Sequence, residues 1–543
     1  MNNQYEHNLI KVTLCAGLLL LLVLLPFSLY GQDGYILWFP IIAEYLHGDA
    51  SYHASEVIFQ GQNLASIYGE LPFWKLFRML GPSIKIFLNA THWSYVCMAF
   101  ILSISIVKGV KNNFSSFDIF VLFLLALISP IVINRVMAGH LNLLFGTLPL
   151  FVFVSLLFNK SKIHIAFCIF CIWCALSTQA FQVLAYHIFY LPLLICLFLS
   201  FETDRKRYVI NALIVFIVAF ALNFPNLKEM YTHAVSSDNL RGLDSNVVYS
   251  YLTSSLSDLI HFLGSGLYPE ILNRPVGQYH EISYPVGAFL LLSIFGLKDK
   301  KIWICFFLSF GILFLFCMNI PPFNFLSELP LIKAFRVPQR VFMPLSLFMP
   351  LWVYARTDFT AKKGDYVWLV SLVLAAQWIN YFEVIAFAGV AIFLFYKKYQ
   401  SQKYAIILSL ACLFTGTVSK IEPSVQAFEY YLKLKESLLP LLNRYDGKTL
   451  RHNTFYFETS QPVMVNYVAQ SMGINTVEGY GHPPSKLLLK FKDKTGLDFP
   501  PTTNIFYFDG VTAGKDNLLR EFGVKTIVEF DLNNNLMTRD LVP

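Results

Sequence analysis

The sequence predicts a polytopic α-helical membrane protein with about thirteen transmembrane helices and a small C-terminal α/β domain. Of its 543 residues, 56% are hydrophobic and 14% are charged, whereas soluble domains carry about 25% charged residues. Mean hydropathy is +0.55 and aromatic residues reach 16%. Apolar runs long enough to cross a bilayer recur along most of the chain.

The first apolar run extends from about Leu14 to Leu29 and predicts the first span. We interpret it as a retained helix, because no small-x-small cleavage site precedes the loop that follows. Further runs predict the other spans, near 91–107, 117–133, 141–158, 163–180, 183–201, 208–224, 284–297, 302–320, 341–355, 366–380, 383–396 and 404–419.

Lys and Arg in the short loops predict the orientation, because cytoplasmic loops carry an excess of both. Alternating loops hold the basic groups, namely 108–111, 160–162, 205–207, 298–301, 356–363 and 397–403. We therefore expect the N-terminus inside, and loops 31–90, 134–140, 225–283 and 321–340 outside. Residues 366–396 are interpreted as two short spans; a single long helix would put the C-terminal domain in the cytoplasm.

Two domains follow from this pattern. Residues 1–419 form the membrane domain, and residues 420–543 form an extracytoplasmic α/β domain with a helix at Val425–Leu442. Strands are predicted at 454–457, 504–508 and 524–528, separated by turn signals such as Asp446-Gly447.

Charge and cysteine usage exclude some classes of function. The net charge of +7 lies in short loops between spans and does not indicate nucleic-acid binding. Cys168, Cys171 and Cys174 have a metal-like spacing, but apolar residues surround them, and we interpret them as buried apolar cysteines.

Asp33 follows the first span directly, between Gly31 and Gly34. A carboxylate at the mouth of a membrane helix is costly to bury and often serves chemistry. In the next outer segment, Arg135 suits an anion. Four roles are open for His140. It can act as a base, a metal ligand or a hydrogen-bond donor to the substrate, or it can cap the following span.

Two later outer segments add candidates. Glu281 and Tyr284 precede a predicted span, and Arg336 and Arg340 flank a proline in the motif Phe335-Arg336-Val337-Pro338-Gln339-Arg340. Paired arginines outside run against the usual charge bias, so we interpret them as anion-binding rather than as ordinary interface anchors.

In these features the chain resembles the GT-C-fold membrane glycosyltransferases, and most closely the bacterial YfhO-type proteins. The shared features are Asp33 after the first span, the turn at Ala138-Gly139-His140, the pair Glu281 and Tyr284, the arginine motif and the outer C-terminal domain. The chain is shorter than the usual YfhO type. Asp33 also has no acidic neighbour, which leaves the base and the metal dependence open.

The resemblance implies a bacterial cytoplasmic-membrane enzyme that takes a sugar from a polyprenyl-phosphate donor. The acceptor would be a glycan, lipid or protein on the outer face, and transfer would invert the anomeric centre. Asp33, His140 and Glu281 are then the catalytic candidates. Arg336, Arg340, Arg135 and Tyr284 are the phosphate or donor contacts. No cofactor is certain, and a divalent cation stays open.

Two other classes of function remain. A transporter or flippase of a lipid-linked glycan would also place charge within the membrane. Against it, the candidates lie at one face and the sequence shows no repeat halves. A non-catalytic assembly protein on the same fold is the third class.

Overall fold

The computed structural model describes two separate parts of the chain. In the apolar region these are residues 84–128, 131–132, 141–178, 181–201, 204–235, 300–317, 325 and 338–356. In the C-terminal region they are residues 436–445, 453–458, 465, 469, 474, 479–480, 505–506, 515–521, 523–530 and 536–541. The spans predicted near 14–29, 284–297, 366–380, 383–396 and 404–419 lie outside the described residues.

The described apolar region consists mainly of helices joined by short turns and loops. Its helices are α1 (Ile84–Val110), α2 (Ser116–Ile128), α3 (Leu141–Phe145), α4 (Leu148–Phe158), α5 (Lys162–Ser177), α6 (Phe181–Ala185), α7 (Leu191–Ser200), α8 (Arg205–Val235), α9 (Lys300–Cys317) and α10 (Met343–Arg356). Two 3₁₀ helices interrupt them, η1 (Tyr186–Tyr190) and η2 (Pro338–Phe342). The predicted spans within this region therefore coincide with helices.

Two helices extend beyond the predicted span boundaries. Helix α1 begins at Ile84, so the predicted outer loop 31–90 ends in helix. Helix α8 continues through Pro225 to Val235, so the predicted outer loop 225–283 begins in helix. Proline removes one intrahelical hydrogen bond, and membrane helices tolerate this where neighbouring groups compensate.

Two predicted spans are broken rather than continuous. Between α3 and α4 the chain turns at Gly146 and Thr147, and Thr147 Oγ1 donates a hydrogen bond to the Leu144 carbonyl at 2.6 Å. Between α6 and α7 lies η1, and Pro192 follows in the first turn of α7. Both sides of each break are equally apolar, so hydropathy alone does not reveal it.

Aromatic side chains fill the core between the helices. Helix α1 packs against α4 and α10, α5 against α8, and α7 against α9. On α10, the rings of Phe348 and Trp352 stack with centroids 5.7 Å apart, and Phe151 of α4 meets Phe348 edge-on at 5.7 Å. Such pairs add about 0.5–1.5 kcal/mol beyond the burial of their area.

One face of α7 and α8 is apolar and uncovered. On α7, Leu191, Ile195 and Leu199 recur every four residues and are 50–57% exposed. On α8, Ile217 and Phe224 are 59% and 55% exposed. Soluble monomers rarely expose apolar patches of this extent. The stretches Val183–Ser200 and Arg205–Pro225 are also long and apolar enough to cross a bilayer, so this face fits lipid.

The C-terminal region contains a small mixed sheet in strand order β1-β4-β5. Strand β1 (Thr454–Glu458) runs parallel to β4 (Val524–Phe530), and β4 pairs antiparallel with β5 (Leu536–Asp540). Strands β2 (Gly479–Tyr480) and β3 (Ile505–Phe506) form a separate antiparallel pair. Helix α11 (Lys515–Glu521) precedes β4, and residues 436–444 are helical.

Three of these strands, β1, β3 and β4, lie at predicted positions, whereas β2, β5 and α11 were not predicted. Arg539 on β5 donates to both carboxylate oxygens of Asp516, at 2.7 and 3.3 Å. This hydrogen bonding raises the pKa of the Arg539 guanidinium above its ordinary value. The domain boundary at 419/420 stays a prediction.

Candidate functional site

Most of the candidates predicted from the sequence lie outside the described residues. These are Asp33, Arg135, His140, Glu281, Tyr284 and Arg336. Helix α3 begins at Leu141, the residue that follows His140. Of the predicted set, Arg340 alone falls within the described residues. The structure therefore contributes the frame around Arg340 and candidates that the sequence analysis did not select.

The basic helix ends converge at one edge of the bundle, called here the basic edge. Arg207 Nη2 donates to the Lys160 carbonyl at 3.5 Å, which joins the α8 and α4 ends. The Arg356 guanidinium lies over the Phe201 ring at 5.3 Å, which joins the α10 and α7 ends. The basic edge thus gathers Lys108, Lys111, Lys160, Lys162, Arg205, Lys206, Arg207 and Arg356. These loops share one edge, as the alternating charge pattern predicts.

A buried carboxylate ties the basic edge together. Asp118, at the start of α2, is 1% exposed. Its Oδ1 accepts from Lys111 Nζ at 2.8 Å and from the Tyr354 hydroxyl at 2.6 Å. Its Oδ2 accepts from the Ser115 backbone N–H and hydroxyl, at 2.5 and 2.6 Å. Both oxygens are satisfied, so Asp118 has the features of a structural anchor between α2 and α10.

A chain of polar side chains lies just inside the basic edge. Asn159 Nδ2 donates to Ser105 Oγ at 3.4 Å, and Ser105 Oγ lies 3.5 Å from His164 Nδ1. His164 Nε2 lies 3.0 Å from Ser155 Oγ, which itself donates to the Val152 carbonyl at 2.9 Å. Because Ser155 uses its proton on Val152, His164 must carry its proton on Nε2 and accept at Nδ1.

The three clustered cysteines are buried, as the sequence analysis predicts. Cys168, Cys171 and Cys174 are free thiols with no exposed surface. Cys168 Sγ lies 3.4 Å from His164 Nε2, so this thiol also borders the polar chain. Among the described residues, no group of three His, Cys, Asp or Glu side chains is arranged to hold a metal ion. Whether the protein binds a divalent cation is left open, as in the sequence analysis.

Arg340 lies at the opposite end of the bundle, called here the far edge. It belongs to η2, which leads directly into α10, whereas Arg356 closes α10 at the basic edge. The Tyr190 hydroxyl donates to the Val341 carbonyl, and Tyr190 and Val341 are both fully buried. Arg340 itself is half-buried. This bond fixes the backbone beside Arg340 to η1.

His187 on η1 is a far-edge residue that the sequence analysis did not select. Its Nδ1 lies 3.0 Å from the Val183 carbonyl, and its ring centroid lies 5.7 Å from that of Tyr190. Its Nε2 is buried and has no hydrogen-bond partner in the part of the chain that the structure describes. An ionisable residue inside an apolar run is itself a signal of function, and this rule would have selected His187 and Asp118.

The far edge therefore combines a guanidinium, an imidazole with an unused nitrogen and an apolar frame. A guanidinium donates hydrogen bonds in a fork that matches phosphate or carboxylate oxygens. A neutral imidazole offers one acceptor. The first group suits an anion and the second suits a hydrogen-bond donor.

Comparison with known proteins gives little further guidance. No family model matches the chain, and no curated protein matches it. Two solved structures are similar in shape, both of ArnT from Cupriavidus metallidurans. The apo structure has a TM-score of 0.46 and 11% identity over 90% of this chain and 88% of that chain. The structure bound to undecaprenyl phosphate has a TM-score of 0.43 and 9% identity over 91% and 88%. Likeness at this level carries no argument about activity.

Proposed function

We propose that this chain is a membrane glycosyltransferase of the GT-C type. It takes a sugar from a polyprenyl-phosphate donor and transfers it, with inversion, to a glycan, lipid or protein on the outer face of a bacterial cytoplasmic membrane. The N-terminus then lies in the cytoplasm, and the C-terminal domain lies outside. The sequence resemblance to YfhO-type proteins supports this proposal.

The single observation that carries the proposal is the position of Arg340. The basic edge holds eight Lys and Arg residues at the ends of the described helices and in the loops that join them, which by the usual bias is the cytoplasmic side. Arg340 lies at the other end of α10, and the bond from Tyr190 to Val341 holds its backbone there. An arginine fixed on the outer side runs against the bias and suits an anionic group at the lipid surface.

The reaction divides between a base and a phosphate-binding group. The acceptor hydroxyl gives its proton to a carboxylate, for which Asp33 is the candidate. The oxygen of that hydroxyl forms a bond to the anomeric carbon as the bond from this carbon to the phosphate oxygen breaks. The bonding electrons leave with the polyprenyl phosphate, whose charge grows. Arg340 and Arg336 would stabilise that charge.

The remaining candidates have supporting roles in this proposal. His140 and Glu281 are the alternative bases should Asp33 not serve. Arg135 and Tyr284 would contact the donor from neighbouring outer segments. A bound divalent cation would stabilise part of the charge on the departing polyprenyl phosphate. The requirement for a cation stays open.

Two variants at opposite ends of α10 test the proposal. Arg340→Ala should weaken binding of a polyprenyl-phosphate sugar by about tenfold or more, because a hydrogen bond to a charged group contributes about 1.5–3 kcal/mol. Arg356→Ala is the matched control, because it removes the same charge from the same helix at the basic edge. Binding and transfer are measured on purified full-length protein in nanodiscs. Equal losses in the two variants, or none in either, would contradict the role of Arg340.

The two rival functions make different predictions. A flippase moves a lipid-linked glycan across sealed vesicles and forms no new glycosidic bond. The described polar chain at His164 stays near the basic edge rather than crossing the bundle, and it does not favour a transport path. An assembly protein would show neither activity. Labelled-sugar transfer and vesicle flipping, measured on the same preparation, separate the three functions.

A further inference from the structure

His187 is positioned by a local departure from α-helical geometry. It lies in η1, the single 3₁₀ turn between α6 and α7. Such turns inside longer helices often mark functional positions. Its Nδ1 lies 3.0 Å from the Val183 carbonyl. A carbonyl oxygen only accepts, so Nδ1 carries the proton, and Nε2 on the other edge of the ring is an acceptor.

This acceptor is unused by the described protein. His187 Nε2 is buried without a hydrogen-bond partner among the residues that the structure describes. Buried polar atoms almost always have partners, because an unpaired one loses its hydration without replacement. An exception at the far edge therefore calls for a partner that is not part of the described chain.

His187 and Arg340 lie on two 3₁₀ helices that are bonded to each other through Tyr190 and Val341. The His187 ring lies 5.7 Å from the Tyr190 ring, and the Tyr190 hydroxyl bonds to the carbonyl of Val341, the residue after Arg340. Helix α9 lies against both 3₁₀ helices, and α6 lies against η2. A ligand held by Arg340 at this edge would therefore lie beside η1.

We propose that His187 Nε2 accepts a hydrogen bond from a hydroxyl of the sugar on the lipid-linked donor, while Arg340 holds the donor phosphate. This inference rests on the proposed function. A deprotonated phosphate only accepts hydrogen bonds, as does the neutral imidazole at Nε2, so the phosphate is the wrong partner for this nitrogen. A sugar hydroxyl is a donor, and it is attached to that phosphate. His187 is thus a binding residue that separates sugar-loaded from sugar-free lipid.

The test uses two variants and two lipids with the full-length protein in nanodiscs. His187→Asn keeps a donor for the Val183 carbonyl but has no atom at the Nε2 position. His187→Gln places an acceptor oxygen near that position. The probes are undecaprenyl phosphate and undecaprenyl phosphate esterified to a neutral hexose. No acceptor substrate is added, so the only sugar hydroxyls present are those of the hexose on the lipid.

His187→Asn should weaken binding of the hexose-loaded lipid by about tenfold and leave binding of the bare lipid unchanged. His187→Gln should recover most of the loss. On the parent protein, the nitrogen-15 NMR signal of His187 Nε2 should move with the loaded lipid and not with the bare one. This readout does not depend on how the variants fold.

Three outcomes would overturn the inference. Equal losses for both lipids would make His187 a structural or phosphate contact. Unchanged binding of both lipids with slower sugar transfer would mean that His187 bonds to the acceptor substrate and not to the sugar of the donor lipid. Unchanged binding and an unmoved NMR signal would leave His187 without a ligand. If the parent binds neither lipid, the proposed function itself fails, which the bare lipid reveals separately from any effect at His187.

Discussion

His164 and His187 lie at opposite edges of the bundle. His164 lies near the basic edge with both ring nitrogens next to hydroxyl groups, those of Ser105 and Ser155. His187 lies near the far edge with one nitrogen on a carbonyl and the other unpaired among the described residues. Both lie in apolar helical segments, and they differ in their hydrogen-bond partners.

This difference concerns what each histidine offers to a ligand. At the basic edge, His164 and the Asp118 carboxylate are saturated by protein groups, which suits holding helices together. At the far edge, Nε2 of His187 has no hydrogen-bond partner among the described residues, and Arg340 lies on the neighbouring η2. Saturated polar groups stabilise a fold, whereas an unsaturated one is available to a ligand.

The largest expected effect is at Asp118. Removing its carboxylate removes the oxygen to which Lys111 and the Tyr354 hydroxyl both donate. Asp118→Ala should lower the free energy of unfolding by about 3 kcal/mol or more, the usual cost of breaking a buried ion pair. The exposed Asp204 at the same edge is the control, since Asp204→Ala removes a helix cap that contributes about 1 kcal/mol. The measurement is unfolding in detergent. An Asp118→Ala protein as stable as the parent would contradict the structural role of Asp118 at the basic edge.

Asp33→Asn tests the proposed outer site by activity instead of stability. We expect normal insertion and donor binding but a loss of transfer on the order of 10²-fold or more, because the acceptor loses its base. The assay follows a labelled sugar from a polyprenyl-phosphate donor in membranes. A parent-like rate would assign the base to His140 or Glu281, and a variant that fails to fold would make Asp33 structural.

A pair of glycines sharpens the claim that the basic edge is a packed structural region. A Cβ added at Gly109 would collide with the Cβ and Cγ of Phe158, whereas at Gly311 it would meet nothing within 4 Å. Gly109→Ala should therefore destabilise the protein by about 1–3 kcal/mol. Gly311→Ala should be neutral or should stabilise α9 by up to about 1 kcal/mol. Thermal unfolding of both variants distinguishes them, and equal midpoints would contradict close packing at Gly109.

The smallest effect concerns the position of single protons. The hydrogen bonds require the proton of His164 on Nε2 and that of His187 on Nδ1. Nitrogen-15 NMR of histidine-labelled protein at neutral pH should therefore show opposite tautomers, with each signal assigned by its absence in the His164→Asn or His187→Asn variant. The same tautomer at both sites would remove the basis for treating Nε2 of His187 as an acceptor.

The sequence could predict the helices because each span is a long apolar run, and it could predict the grouping of basic loops because charge alternates with topology. It could not predict η1 or the break at Thr147, since hydropathy is uniform across both. Asp118 bonds to Tyr354, which is 236 residues away, so no local pattern joins them. For the predicted candidates outside the described residues, such as Asp33, the sequence remains the only basis of the proposed roles. Of the candidate site, the structure places Arg340 and adds His187.

Helix α10 also sets a depth. Between Arg340 and Arg356 the chain advances about 24 Å at 1.5 Å per residue, and a hydrocarbon core is about 30 Å thick. The two guanidinium groups must therefore extend outward to reach the head groups, or the bilayer beside the helix must thin. A rod with a cation at each end cannot slide along the membrane normal without drawing one charge into the hydrocarbon. The far edge is thus held at a fixed level, slightly below the average plane of the head groups on its side of the membrane.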